Sequence, residues 1–311
     1  MARNVPHSAI SACLIVRNEE RTLERCLASL SGAVDDLVVL DTGSSDATCA
    51  IARRHGARLY HAQWADDFAA ARNASLAHAK GDWVLWVDAD EELVEAQPGA
   101  LRRLCQTASA DVWGYWLGVR CPYGASGEQE MRLSQWRLFR NRRDIAFHGR
   151  VHEQPEPPHT LERWQLPDQA AVSLVHHGYA TSAQVMAAKL ERNRRLMEQC
   201  IAEEPRDPFQ RFNLGRQLVR ESRWAEGLAE LERAIALWQQ GGAPAARYVH
   251  LLFAFAAQGA VELGRYERAL EIEAQAGPTF ASADLLCETG LACWKLGRHA
   301  DALVRLTQCF S

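Results

Sequence analysis

The sequence has no apolar run long enough to cross a membrane. Its longest candidate, Leu251 to Ala257, is flanked by His250 and Gln258 and falls far short of the roughly 20 residues a span requires. Residues 1–7, MARNVPH, lack the apolar core of a secretory signal, so no leader of that type is expected. None of the nine cysteines forms a C-x-x-C pair, and an odd, scattered set argues against both a disulfide framework and a zinc site. Buried free thiols in a reducing compartment, the cytoplasm, are the expectation, with Cys13, Cys26 and Cys49 in the core. There is no G-x-G-x-x-G and no G-x-x-x-x-G-K-[ST], so neither a dinucleotide fingerprint nor a P-loop is present. Excess positive charge is also missing: a net charge of −4 gives no global attraction to nucleic acid or anionic lipid.

What is present points to an ordinary globular protein. The 311 residues suffice for two domains, and 48% apolar with 24% charged residues fits folded, soluble chains. Arginine is locally dense at Arg132, Arg137, Arg140, Arg142, Arg143 and Arg150, a solvated face from which one or two side chains could meet a phosphate.

Strand and helix signals alternate through the first hundred residues. Residues 9–16 form a buried strand, and Leu23, Cys26, Leu27 and Leu30 form the i, i+3, i+4, i+7 stripe of a helix with Glu19 and Glu20 in its first turn. Residues 37–40 are a second strand, Gly43-Ser44-Ser45 supplies turn and N-cap chemistry, and the following helix stops at Gly56. A strand at 59–64, a helix at 68–79 and a strand at 83–87 follow. Such alternation implies a parallel sheet covered on both faces, with ligands beyond the carboxyl ends of its strands. Arg17-Asn18, Asp41-Thr42-Gly43 and Asp88-Ala89-Asp90 should therefore share one rim.

The last of these tips carries the sharpest signal. Residues 82–92, DWVLWVDADEE, form an apolar run that ends in two carboxylates spaced i, i+2. On an extended backbone Asp88 and Asp90 point to one side and could converge on a hard cation. The alternative is a strand that simply enters solvent through acids.

Beyond residue 181 the composition shifts to alanine, leucine, glutamate and arginine. SRWAEGL at 222, GRYERAL at 264 and GRHADAL at 297 recur, the second spacing being close to the ~34 residues of a tetratricopeptide repeat, with residues 239–246 as an insertion in the first. Small residues (Gly215, Ala234, Ala257, Ala276, Gly290) stand where paired helices must approach. The expected division is residues 1–180, an α/β domain; 181–205, a connecting helix; and 206–311, tetratricopeptide-like repeats. The array serves as scaffold, as a dimerisation surface giving a homodimer, or as an acceptor-binding element. A polar capping helix is not evident before Ser311, so either the sequence continues or a partner covers the last repeat.

Taken together, CLIVRNEE (13–20), VVLDTGSSD (38–46), WADDFAAARN (64–73) and GDWVLWVDADE (81–91) resemble family 2 glycosyltransferases of the GT-A fold. RLFR (137–140), GRVHE (149–153), HGY (177–179) and KLERN (189–193) resemble the branch containing sublancin-type peptide S-glycosyltransferases, and lipopolysaccharide-core glucosyltransferases share many of them. The resemblance implies an α/β GT-A domain, Rossmann-like with a mostly parallel sheet, followed by all-α helical repeats. It further implies transfer of a sugar from a nucleotide-diphosphate donor such as a UDP-hexose, assisted by Mg2+ or Mn2+. The acceptor would be a peptide or protein, or else a lipid-linked or lipopolysaccharide glycan. A retired, non-catalytic adaptor built on the repeats is the contrasting class.

By that resemblance Asp90 contacts the metal, and Asp88 the metal or the ribose. Asp41 and Asn18 hold the nucleoside, and Arg72, in the family's A-R-N, grips the diphosphate. His152 completes the metal shell, with His176 and His177 as rivals. An inverting transfer also needs a base: Glu153 is the first candidate and Glu130 the second. Gln135-Trp136-Arg137 only partly echoes the family's Q-x-x-R-W.

Overall fold

The computed structural model describes residues 8–123, 129–156, 164–165, 167, 171–177, 183–241 and 248–309. Residues 242–246 of the repeat insertion, Pro157 and Pro158 of the loop after Glu153, and Gly178-Tyr179 lie outside the described residues. Two compact units divide the chain, Met1–Met186 and Ala187–Ser311.

The first unit opens with β1 (Ile10–Val16), α1 (Leu23–Leu30), β2 (Asp36–Asp41), α2 (Thr48–Arg54), β3 (Arg58–His61), α3 (Phe68–Leu76) and β4 (Trp83–Trp86). These β–α units place β1, β2, β3 and β4 side by side in parallel. The unit continues with β5 (Glu91–Glu95), α4 (Ala100–Thr107), β6 (Gly114–Tyr123), β7 (Gln129–Arg140), β8 (Ala146–His148), β9 (Gln154–Glu156), β10 (Trp164–Gln165) and β11 (Val172–His176). The main sheet runs β3-β2-β1-β4-β7-β6-β11-β5, with β10 paired to β6, while β8 and β9 form a separate ribbon.

Both faces are covered, as continuous apolar strands require. Ile10, Ala12, Leu14 and Val16 of β1 pack with Leu23, Cys26, Leu27 and Leu30 of α1, all four of the helix residues fully buried. Cys13, from the other phase of β1, packs with Val38, Val84, Trp86 and Ala69 on the opposite face. Gly81 lets the entry to β4 pass β1: a Cβ there would lie 2.7 Å from the backbone oxygen of Ala9 and the nitrogen of Ser11.

Three expected boundaries move. Helix α1 begins at Leu23, so Glu19 and Glu20 precede it; their amides are captured by the Thr48 hydroxyl and the Asp46 carboxylate. Helix α2 begins at Thr48, beyond Gly43-Ser44-Ser45, and Asp46 accepts the Thr48 amide at 3.0 Å. Strand β4 ends at Trp86, so Asp88 and Asp90 stand in a turn closed by the Glu91 amide on the Asp88 carbonyl, not on an extended strand.

The second unit is helical: α5 (Ala183–Glu203), α6 (Pro208–Arg220), α7 (Trp224–Gly241), α8 (Val249–Glu262), α9 (Tyr266–Phe280), α10 (Ala283–Lys295) and α11 (His299–Cys309). The recurring motif marks the turn inside each helix pair, where Ser222, Gly264 and Gly297 all take positive φ of 60°, 69° and 75°. Gly215 and Gly227 let α6 and α7 touch: a Cβ on Gly215 would lie 2.6 Å from the Leu231 side chain, and one on Gly227 2.8 Å from Val219. The architecture is the expected one, an α/β domain with a mostly parallel sheet followed by helical repeats. Among the described residues no helix is long and apolar enough to cross a membrane.

Candidate functional site

The carboxyl ends of the parallel strands carry the polar tips. Past β1, Asn18 adopts φ 55°, a left-handed conformation that asparagine tolerates better than most residues. There its Oδ1 accepts the Ser45 amide at 2.8 Å while its own amide donates to the Ser44 hydroxyl at 2.9 Å. At the end of β2 the Asp41 carboxylate accepts the Gly43 and Ser44 amides at 3.1–3.2 Å. Burial works to raise the Asp41 pKa, but the bonds from Ser44, Gly43 and His61 hold it below the usual carboxylate range. Asn18 and Asp41 are thus tied to the same short loop, residues 43–45.

A second group surrounds Asp88. Arg72 of α3 is 7% exposed and donates to Asp88 Oδ1 at 2.8 Å and through Nε to Glu153. Arg137 of β7, 2% exposed, meets Glu91 with two bonds of 2.9 and 2.7 Å and stands 3.7 Å from Asp88 Oδ2. Both guanidiniums lie against the Trp86 ring, 4.1 and 3.6 Å from its centroid, where the indole π cloud favours cations. Burial would raise the Asp88 pKa, yet the two guanidiniums hold it far below the carboxylate range.

The third group is Asp90 with the histidines. Strand β11 pairs antiparallel with β5, opposing His176 to Glu91. His176 Nδ1 lies 3.4 Å from Asp90 Oδ1 and 3.6 Å from Glu91 Oε1. Burial lowers its pKa, but the bond to Glu91 and the charges of Asp90, Glu91 and Asp88 raise it on balance. His177 turns instead to Glu92, at 3.1 Å. His152 has φ 56° and precedes Glu153 in the chain. His176 thus brings an imidazole nitrogen to the Asp90 carboxylate, and the His177 amide donates to the Asp90 carbonyl at 2.9 Å.

The two candidate bases occupy different places. Glu153 is joined to Arg72 and so to Asp88. Glu130 sits near the start of β7 between Arg120 and Arg132, bonds that depress its pKa, about 23 Å along the strand from Arg137 at ~3.3 Å per residue. Burial pushes the Cys13 and Cys105 thiols up to about 12, consistent with inert core positions. Cys49, expected in the core, is only half-buried, because it sits on the rim-facing first turn of α2.

Sequence reasoning missed the Glu91–Arg137 pair. Glu91 alternates with buried Leu93 on β5, and a glutamate in the apolar phase of a strand is the signal that marks it as paired. The side chains at Asp90 suit a divalent cation: a carboxylate oxygen and an imidazole nitrogen 3.4 Å apart are close to the ~3 Å between neighbouring ligands on one ion. Asp88 is engaged instead by Arg72.

The family model for glycosyl transferase family 2 matches residues 11–160. Residues 11–160 thus resemble family 2 glycosyl transferases. Over 277 residues the chain is 38% identical to a TPR repeat-containing protein of Synechococcus elongatus, covering 84% of this chain and 66% of that one. It is 27% identical over 233 residues to the SPbeta prophage-derived glycosyltransferase SunS of Bacillus subtilis, covering 73% and 53%. The chain thus spans between half and two thirds of the length of these relatives. Glucosyl-3-phosphoglycerate synthase from Mycobacterium tuberculosis, solved with Mn2+ and UDP-glucose, is similar over 36% of this chain and 44% of that one, at 29% identity and a TM-score of 0.31.

Proposed function

We propose that this protein transfers a hexose from a nucleotide-diphosphate sugar, a UDP-sugar, to a peptide or protein acceptor with inversion at the anomeric carbon. The observation that carries the proposal is the position of Asn18 and Asp41 past β1 and at the end of β2, and of Asp88 and Asp90 past β4 of the same sheet, where Arg72 of α3 and His176 of β11 meet them. The first pair suits a nucleoside, with the fixed Asp41 carboxylate accepting from base or ribose. The second group suits a diphosphate, for which Arg72 offers a guanidinium.

Asp90 and His176 would hold Mg2+ or Mn2+, which when bound neutralises the diphosphate and stabilises the leaving group. Asp88 acts by orienting Arg72, and Trp86 fixes the planes of Arg72 and Arg137. In the transfer, the acceptor oxygen or sulfur forms its bond to the anomeric carbon as the bond to the diphosphate breaks, and the acceptor's proton passes to a carboxylate. Glu153 is assigned that role: Oε1 is anchored by Arg72, and Oε2 would receive the proton. The helical repeats are assigned to acceptor recruitment, in keeping with the resemblance to the sublancin-type branch.

Nucleotide release from UDP-sugars in the presence of Mn2+, with and without candidate peptides, tests the reading. Glu153→Gln should lower kcat by roughly 10²- to 10⁴-fold while leaving donor affinity within a few-fold. Unchanged turnover in that variant removes Glu153 from the mechanism, and no release from any sugar nucleotide removes the transferase reading.

A further inference from the structure

Among the described residues, a second set of metal-ligand side chains converges at the rim. Asp41 ends β2, His61 ends β3 directly opposite it in register, and Cys49 lies in the first turn of α2. Their ligand atoms all fall within 4.8 Å of one another. Three different ligand types thus come from three separate segments onto one point.

We propose that Asp41, Cys49 and His61 form a site for Zn2+ or a similarly thiophilic divalent cation, and that occupation of this site excludes the nucleoside from the donor pocket. The second half rests on the donor reading above; the first does not.

The geometry suits zinc. His61 Nδ1 stands 3.3 Å from Asp41 Oδ2, against the ~3.4 Å edge of a tetrahedron with Zn–N and Zn–O bonds near 2.1 Å. The corresponding edge to a thiolate is ~3.6 Å, so with every separation inside 4.8 Å the sulfur needs to move by at most about 1.2 Å. The Gly43 and Ser44 amides already hold the carboxylate from behind, the outer support that fixes a metal ligand. The His61 side chain is 58% exposed and gives the ion a path in, while Asp41 at 5% is not.

Ligand chemistry separates this site from the Asp90–His176 pair. Imidazole with thiolate selects zinc and cobalt over magnesium, whereas carboxylate with diphosphate and water suits magnesium or manganese. Without a metal, burial and the adjacent Asp41 charge raise the Cys49 pKa, keeping the thiol protonated. A bound zinc inverts that balance, forming the S–Zn bond and releasing the proton to solvent. Because Asp41 is the residue assigned to the nucleoside, zinc here acts as a competitor of the donor.

The test is titration of the full chain with Co2+ and Zn2+ for the wild type, Cys49→Ala, His61→Ala and, as a control, Cys287→Ser at an exposed cysteine of α10. The expected result is a thiolate-to-cobalt charge-transfer absorption that saturates at one ion per chain and that Cys49→Ala loses and Cys287→Ser keeps. Zn2+ affinity should fall at least about tenfold in both Cys49→Ala and His61→Ala, since loss even of an outer-shell support costs about 10–100-fold. Unchanged affinity in the two variants, or a charge-transfer band that survives Cys49→Ala, overturns the site. His61→Ala decides the matter if Cys49→Ala fails to fold, because His61 is an exposed side chain. UDP affinity should fall as Zn2+ is added to wild type and not to the variants; if zinc binds and UDP affinity is unmoved, the competition is refuted. Absence of UDP binding at any metal level, with the cobalt band intact, overturns the donor reading and supports the metal site alone.

Discussion

Replacing Glu91 with Gln should destabilise the first unit by about 3 kcal/mol, more than any surface substitution. Glu91 is 1% exposed and receives two bonds from Arg137, itself 2% exposed and packed on Trp86. Removing one charge of a buried pair costs about 3–5 kcal/mol, because the other is left in a poor solvent. Glutamine preserves the volume but turns an N–H2 toward the guanidinium or forfeits one of its two bonds. The remaining neighbours soften the loss: Gln135 accepts from Arg137 Nε at 2.9 Å, and Asp88 Oδ2 lies 3.7 Å away, which places the estimate at the lower end of the range. Against a typical total of about 5–15 kcal/mol, this is a shift easily read by urea denaturation with tryptophan fluorescence. The double variant Glu91→Leu/Arg137→Met should recover part of that loss, since neither charge of the pair remains, while the Asp88 amide and His176 still lose the Glu91 carboxylate. A loss below ~1 kcal/mol for Glu91→Gln, or a double variant worse than the single, refutes the pair as a dry, mutually dependent unit.

Three further outcomes follow from the geometry. Ser222 alone of the three repeat turns carries a side chain at positive φ, so Ser222→Gly should stabilise the second unit by up to about 1 kcal/mol in thermal or urea unfolding, and Gly264→Ala should cost a similar amount. Gly81→Ala should cost about 2–3 kcal/mol by the same measurement, because its Cβ would meet β1 backbone that cannot move aside. The pKa values of Asp88 and Asp41 are depressed in the folded state, so their contribution is complete above the ordinary carboxylate pKa of about 3.9 and is lost as pH falls through and below it. The melting temperature should therefore drop below about pH 4, and Asp88→Asn should flatten that drop; an unchanged acid slope contradicts the Arg72–Asp88 assignment. His176 acts in the opposite sense, its contribution being full below about pH 6.5 and fading as pH rises.

The sequence made visible whatever is repeated locally at short range. The α1 stripe of Leu23, Cys26, Leu27 and Leu30, the apolar run of β1 and the three recurring turns of the repeats, one Ser-Arg and two Gly-Arg, each declare themselves within a dozen residues. Pairings across long separations were not legible. Arg137 reaches Glu91 across 46 residues, and His176 reaches Asp90 only because β11 runs antiparallel to β5, a fact no local pattern contains. The loop after β2 illustrates a different loss. Ser44 and Ser45 carry N-cap chemistry, but Asn18 uses both, so the helix waits for Asp46 and Thr48. Polar residues that serve a neighbouring strand end look, in sequence, like residues that serve their own helix.

The most direct test of the account is the Asp90→Ala variant, assayed in parallel for Mn2+-dependent UDP binding by calorimetry and for nucleotide release from UDP-sugars. Asp90 faces His176, and neither residue is needed to hold the apolar core together. The account predicts that the folded variant loses both metal-dependent binding and turnover. Turnover and Mn2+-dependent binding that persist in Asp90→Ala would contradict the assignment of this turn as the diphosphate site.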